Sequence, residues 1–154
     1  MKDLKQKLII EQIDNKLKVY SKVGPNNMPS SGWINTIRTS IKMTLEQLGS
    51  RIGTSKQGAK KVEEREADGS ITIKALKEAA NALDMDFVYG FKPRQGTILK
   101  MIDEAARKKA TEIVMRTSRT MELEDQKVSK ERLSQAIKDK AEEISSNIPK
   151  YLWD

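Results

Sequence analysis

Thr44-Leu45-Glu46-Gln47-Leu48-Gly49-Ser50-Arg51-Ile52-Gly53-Thr54-Ser55-Lys56-Gln57-Gly58-Ala59-Lys60-Lys61-Val62 is the stretch on which the reading of this chain turns. Thr44 is a helix-capping residue type, and Leu45, Leu48 and Ile52 follow at helical spacing, so a short amphipathic helix runs to a stop at Gly53. Ser55 caps a second helix, Lys56 to about Arg65, whose apolar members are only Ala59 and Val62. Most of its circumference must therefore face something polar. A three-residue turn joins the two, Gly53 permits a positive φ there, and Gly49 and Ala59 are small enough for the helices to cross closely.

That is helix-turn-helix arithmetic, and it assigns roles to side chains. Lys56, Gln57, Lys60 and Lys61 form the exposed face at the start of the second helix. In this motif those positions reach base edges in the major groove, where Gln reads adenine and Lys reads guanine. Thr44, Ser55 and the unused backbone amides at the helix starts are placed to hold phosphate oxygens. The candidate DNA-binding residues are thus Thr44, Ser55, Lys56, Gln57, Lys60 and Lys61.

Outward from this centre the chain stays helical. Gly24-Pro25-Asn26-Asn27-Met28-Pro29-Ser30-Ser31-Gly32 breaks any preceding helix, and its serines are able to cap the next. Before it, Leu4, Leu8, Ile9, Ile13, Leu17 and Tyr20 make the apolar stripe of an amphipathic helix from Asp3 to about Lys22. After it, Trp33, Ile34, Ile37 and Ile41 make a second stripe. Asp68-Gly69-Ser70 turns the chain, and Thr72 caps a helix with Ile73, Leu76, Ala79, Ala80 and Leu83 inward. Phe87, Tyr89 and Phe91 alternate through residues 86–92, the pattern of a short strand. Beyond Pro93 one helix starts near Thr97 and carries Ile98, Met101, Ile102, Ala105, Ala106, Ile113 and Val114, running toward Met121. Another, capped by Ser129, carries Leu133, Ala136, Ile137, Ala141 and Ile144. These two stripes must pack on each other, on the amino-terminal helix or on a second subunit. The expectation is an all-α fold in three parts: 1–31, helix and linker; 32–92, a helix-turn-helix bundle with one short strand near 86–92; 93–154, a helical region for dimerisation or partner binding.

Composition excludes most catalysis. Among 154 residues there is no His and no Cys, so imidazole bases, thiol nucleophiles, haem ligation and the usual zinc sites are all ruled out. No nucleophile–base pair is visible, no cofactor or metal is expected, and an enzyme is a distant reading. Glu63-Glu64-Glu66 and Glu122-Glu124-Asp125 are runs of adjacent acids, which cap helices or solvate loops more often than they hold Mg²⁺. Met101, Met115 and Met121 read as gap-filling apolar residues. The run Leu8-Ile9-Ile10 is too short for a signal-peptide core or a membrane span, which gives a soluble cytoplasmic protein as the expectation.

The stretches Ile37-Arg38, Met43 to Gly49, Ile52 to Ala59, Val62-Glu63, Leu76 and Ala79 to Met85 resemble, in that order, the phage-repressor (Cro and XRE) helix-turn-helix family. The likeness covers about a third of the chain, Trp33 to Met85. It departs from that family at Leu45, where a polar residue that contacts phosphate is common, and at Gly49, where Ala is usual. Over its whole length the chain resembles the bacterial "mobile mystery protein A" family. That likeness rests on the amino-terminal amphipathic helix, the central motif, Ser118-Arg119-Thr120-Met121-Glu122-Leu123-Glu124-Asp125-Gln126 and the terminal Pro149-Lys150-Tyr151-Leu152-Trp153-Asp154. The resemblance implies the DNA-binding, antitoxin-like member of a two-gene module with a Fic/DOC-domain protein. Fic inhibition by the route of Ser/Thr, three residues, then Glu and Gly or Asn finds no support, because Asp125 follows Thr120 and Glu124.

Two functions follow as expectations. In one, the chain is a sequence-specific transcriptional regulator binding a palindromic operator as a homodimer, with half-sites about 34 Å apart or a multiple of that. In the other, its flanking helices neutralise a toxin partner, and DNA binding serves autoregulation. The terminal Tyr151-Leu152-Trp153 docks on its own body, on a sister subunit or on that partner.

The net charge of +7, from 29 Lys and Arg against 22 Asp and Glu, does not locate the DNA surface. Lys and Arg against Asp and Glu number six to three in residues 1–30, ten to eight in 31–92 and thirteen to eleven in 93–154. The excess is spread. What singles out one helix is placement, with Lys56, Lys60 and Lys61 ahead of most of that segment's acids.

Overall fold

A computed structural model of the chain describes residues 2–25, 27–123 and 129–154. Among them every regular element is helical. The chain forms two compact units, residues 23–90 in one and residues 1–22 with 91–154 in the other. The amino-terminal and carboxy-terminal stretches, distinct in sequence, are therefore parts of a single unit.

The central unit contains α2 (Trp33–Ser40), α3 (Leu45–Ile52), α4 (Lys56–Asp68) and α5 (Ile73–Ala82). Ile34, Leu48, Ala59, Ala79, Ala82 and Leu83 are its buried core, flanked by Ile37, Met43, Leu45, Ile52, Val62, Ile71 and Leu76. Three of those six are alanines, so the helices approach closely around few large side chains. Leu48 is completely buried and contributes about 2–3 kcal/mol by that alone.

Capping residues set the boundaries. Thr44 Oγ1 accepts from the Gln47 amide at 3.1 Å while Gln47 Oε1 accepts from the Thr44 amide at 2.8 Å, a reciprocal capping box. Ser55 Oγ accepts from the Gly58 amide at 3.0 Å, and Thr72 Oγ1 from the Ala75 amide at 3.1 Å. Gly53 and Gly69 close α3 and α4 in the left-handed conformation. The serines before α2 do not cap it. Gly32 occupies the N-cap with φ +83°, and the Ile34 amide instead donates to Glu66 Oε1 on α4, 2.7 Å away.

No strand forms at 86–92. Phe87 and Tyr89 do share a side, stacking with ring centroids 6.0 Å apart, but among the described residues there is no strand with which a ladder could form.

In the other unit α1 (Lys2–Leu17) continues as a 3₁₀ turn over Lys18–Tyr20; α6 (Ile98–Leu123) and α7 (Lys130–Asn147) form an antiparallel pair, and a final 3₁₀ turn covers Lys150–Trp153. Ile10, Ile102, Ala106, Ala110, Ile144 and Leu152 are buried together. The two long stripes thus pack on each other, α1 packs on α6, and Leu152 brings the terminal segment onto its own unit. Ser129 Oγ caps α7 by accepting from the Arg132 amide.

The stripe expected on α1 is not its buried face. Leu4, Leu8, Ile9 and Ile13 are exposed, Leu17 and Tyr20 are half-buried, and the buried residue is Ile10. Asp14 explains the rotation: its carboxylate accepts from the amides of Ile98 at 2.7 Å and Leu99 at 3.3 Å. A side chain from α1 thereby caps α6 and turns the row of Asp3, Lys7, Ile10 and Asp14 toward it. Ala136 is likewise exposed, and half-buried Leu133, Ile137 and Ala141 with buried Ile144 carry the α7 contact.

Candidate nucleic-acid interface

The turn between α3 and α4 fixes the geometry of the candidate site. Gly53 takes φ +92°, and both its amide and that of Thr54 donate to the Gly49 carbonyl, at 2.9 and 2.7 Å. Gly49 is itself pressed against the start of α4. A Cβ there would lie 2.7 Å from the Ser55 carbonyl oxygen and 2.9 Å from that of Thr54. The crossing needs glycine at this position, and the alanine usual in the resembled family would displace backbone here.

Lys56, Gln57, Lys60 and Lys61 are all exposed on the first half of α4. Spacings of one, three and four residues gather them on one side over about one and a half turns. None of the three lysines has an ion-pair partner among the described residues. Ser55 spends its hydroxyl oxygen on the Gly58 amide, which leaves the amides of Lys56 and Gln57 as the first-turn donors that the helix does not use. Thr44 sits exposed at the start of α3 with its oxygen accepting from Gln47. Its hydroxyl proton stays available to donate.

Beneath this face lies a polar layer that sequence reading missed. Glu63 and Glu66 are buried, as is Arg38. Arg38 Nε pairs with Glu63 Oε1, its Nη2 donates to Glu63 Oε2 at 3.3 Å, and its Nη1 donates to the Met43 carbonyl at 2.8 Å. Asn35 Nδ2 adds a bond to Glu63 Oε2 at 2.9 Å. α4 is thereby tied to α2 and to the turn that leads into α3. The pattern was legible in principle. Ala59, Val62, Glu63 and Glu66 occupy i, i+3, i+4 and i+7, so acids hold slots that an inward helix face normally gives to apolar residues.

This layer also changes the charge of the interface. With Glu63 neutralised by Arg38 and Glu66 turned inward onto α2, the exposed charges in the first half of α4 are all cationic, and Glu64 is the first exposed acid. Arg51 ties α3 to the end of α5, donating to the Ala82 carbonyl at 3.1 Å and lying 3.6 Å from Asp84.

Among the described residues no group of three or more acidic side chains gathers to hold a metal. Glu124 and Asp125 of the acid run Glu122-Glu124-Asp125, and with them Gln126 of the stretch that carries the whole-chain resemblance, lie outside the described residues. No helix of the described residues is long and apolar enough to cross a membrane. Comparison of the chain with protein-family models, with curated proteins and with solved structures finds no match.

Proposed function

We propose that this chain is a sequence-specific DNA-binding regulator that acts as a homodimer on a palindromic operator, with α4 as the helix that enters the major groove. The observation that carries the reading is the first half of α4: three unpaired lysines and one glutamine on a single exposed side, directly after a glycine turn that crosses α3 and α4 closely. Lysines at that position neutralise phosphates or read guanine, and Gln57 has the bidentate amide that reads adenine. Thr44, Ser55 and the free amides of the first turns position the helix on the backbone. Catalysis has no part in this reading.

The test is affinity selection on random duplexes followed by titration at several salt concentrations. Gln57→Ala loses about 1–3 kcal/mol at one base-pair position of the selected site, while Lys60→Ala weakens all sequences alike and lowers the salt slope by about one. Equal losses on selected and random duplexes for Gln57→Ala would remove its base-reading role.

A second reading places the chain beside a Fic-domain toxin as its antitoxin-like partner. It is favoured by the exposure of Leu4, Leu8, Ile9 and Ile13 on α1, apolar side chains that a protein partner would cover. Co-expression with the neighbouring reading frame and co-purification test it, and a partner bound equally well by a Leu8→Lys/Ile13→Lys variant would exclude that face.

A further inference from the structure

A groove of about 800 Å³ runs along the α6–α7 pair. Half-buried Ile137 and Ala141 form its apolar floor, and exposed Asp103, Arg107, Lys138 and Glu142 line its walls. On α7 the lining residues recur at three and four, so the groove follows one complete helix face.

Its charges are arranged by position. Asp103, bonded to Ser145 across the helix pair, and Glu142 lie toward the end where α6 begins and α7 finishes. Arg107 and Lys138 lie one turn further along. No ion pair among the described residues engages Arg107, Lys138 or Glu142. Two carboxylates at one end and two cations at the other are self-complementary under a two-fold axis perpendicular to the helices, because such an axis sets the acidic end of one copy against the basic end of the other.

We propose that this groove receives the α6–α7 pair of a second copy of this chain, antiparallel, to form a four-helix bundle around Ile137 and Ala141. The inference rests on the homodimeric reading above and names its surface. A foreign helix of uniform charge would meet repulsion at one of the two ends, whereas a second copy meets opposite charge at both.

Sedimentation equilibrium of the full chain without DNA tests it, with circular dichroism confirming that each variant keeps its helix content. The wild type is dimeric. Arg107→Glu/Lys138→Glu makes the groove wholly acidic and Asp103→Lys/Glu142→Lys makes it wholly basic. Each variant alone raises the dimer dissociation constant by about tenfold or more, and an equimolar mixture of the two restores the dimer mass. If both variants dimerise like the wild type, the groove is not the interface, although the homodimeric reading stands. If the mixture stays monomeric, charge pairing across the groove does not hold the two copies together and the proposal fails. A monomeric wild type overturns this proposal and the homodimeric reading together, and leaves the groove to a different protein. DNA affinity enters none of these results, so a failure of base reading is seen separately.

Discussion

Arg38 and Glu63 close a buried two-pronged ion pair between α2 and α4, joining residues 25 positions apart in the chain. The pair is fully occupied on both sides, because Arg38 also holds the Met43 carbonyl and Glu63 also accepts from Asn35. A buried pair of this kind adds little or nothing to stability over a well-packed apolar replacement, yet losing one member strands the other charge away from water. Its position gives it a second effect, since it ties α4, the helix that carries the lysines, to α2 and to the turn before α3.

Glu63→Ala is expected to destabilise the central unit by about 3–5 kcal/mol. Arg38→Met/Glu63→Leu costs less than the single change, because no ion is left unpaired; the Met43 carbonyl and the Asn35 amide then lose partners at about 1–3 kcal/mol each when buried. Urea denaturation of both variants checks the order. A single-variant loss below about 1 kcal/mol, the value of an exposed pair, would contradict the burial argument.

At Gly49 two effects oppose each other. Alanine gains up to about 1 kcal/mol in helix propensity, but its Cβ would sit 2.7 Å from the Ser55 carbonyl oxygen. Overpacking against backbone costs about 1–3 kcal/mol, so Gly49→Ala is expected to lower stability and, under the proposed function, to weaken DNA binding by shifting α4. A thermal melt that rises for this variant would show that α4 can retreat without cost.

Asp14 holds the first amides of α6 from another helix. Asp14→Ala should remove about 0.5–2 kcal/mol, the usual value of an N-terminal cap, and Asp14→Asn should lose less because its amide oxygen still accepts. Hydrogen exchange locates the effect: protection falls along α1 and the first turn of α6 and is unchanged in α3 and α4.

The turn from α4 to α5 carries a small dependence on acid. The Ser70 hydroxyl, and then the Ser70 amide 2.8 Å away, hold the exposed Asp68 carboxyl below its ordinary 3.8. A carboxyl lowered in the folded state stabilises above the ordinary value, and that contribution is lost as pH falls from 3.8 through the lowered value. Asp68→Asn is therefore expected to flatten the stability profile below pH 3.8 and to leave its shape at neutral pH unchanged. Denaturation midpoints across the acid range give the comparison.

Helix boundaries in this chain follow from local signals in the sequence where the structure uses them locally. Thr44, Ser55, Thr72 and Ser129 each cap the helix that follows, and Gly53 stops α3. What escaped depends on partners far along the chain. Ile10, rather than Leu8 or Ile13, is buried because Asp14 reaches an amide 84 residues away. Glu66 is buried because Gly32 offers α2 no side-chain cap. The alternation at 86–92 places Phe87 and Tyr89 on one side, but a strand requires a partner strand, and the described residues contain none. At the candidate interface the exposed Lys56, Gln57, Lys60 and Lys61 follow from helical periodicity, whereas the buried layer that orients them does not.

Asp14 and Ile98 also say something about time. Their bond closes a unit whose two halves are separated by the entire central unit, so residues 23–90 form an insertion within it. Synthesis proceeds from the amino terminus at about 5–20 residues per second, and domains fold as they become complete. The insertion is complete first, while α1 waits for α6 to be made. On the ribosome, the unit that bears the lysine face acquires its shape before the α6–α7 pair of the other unit has been made.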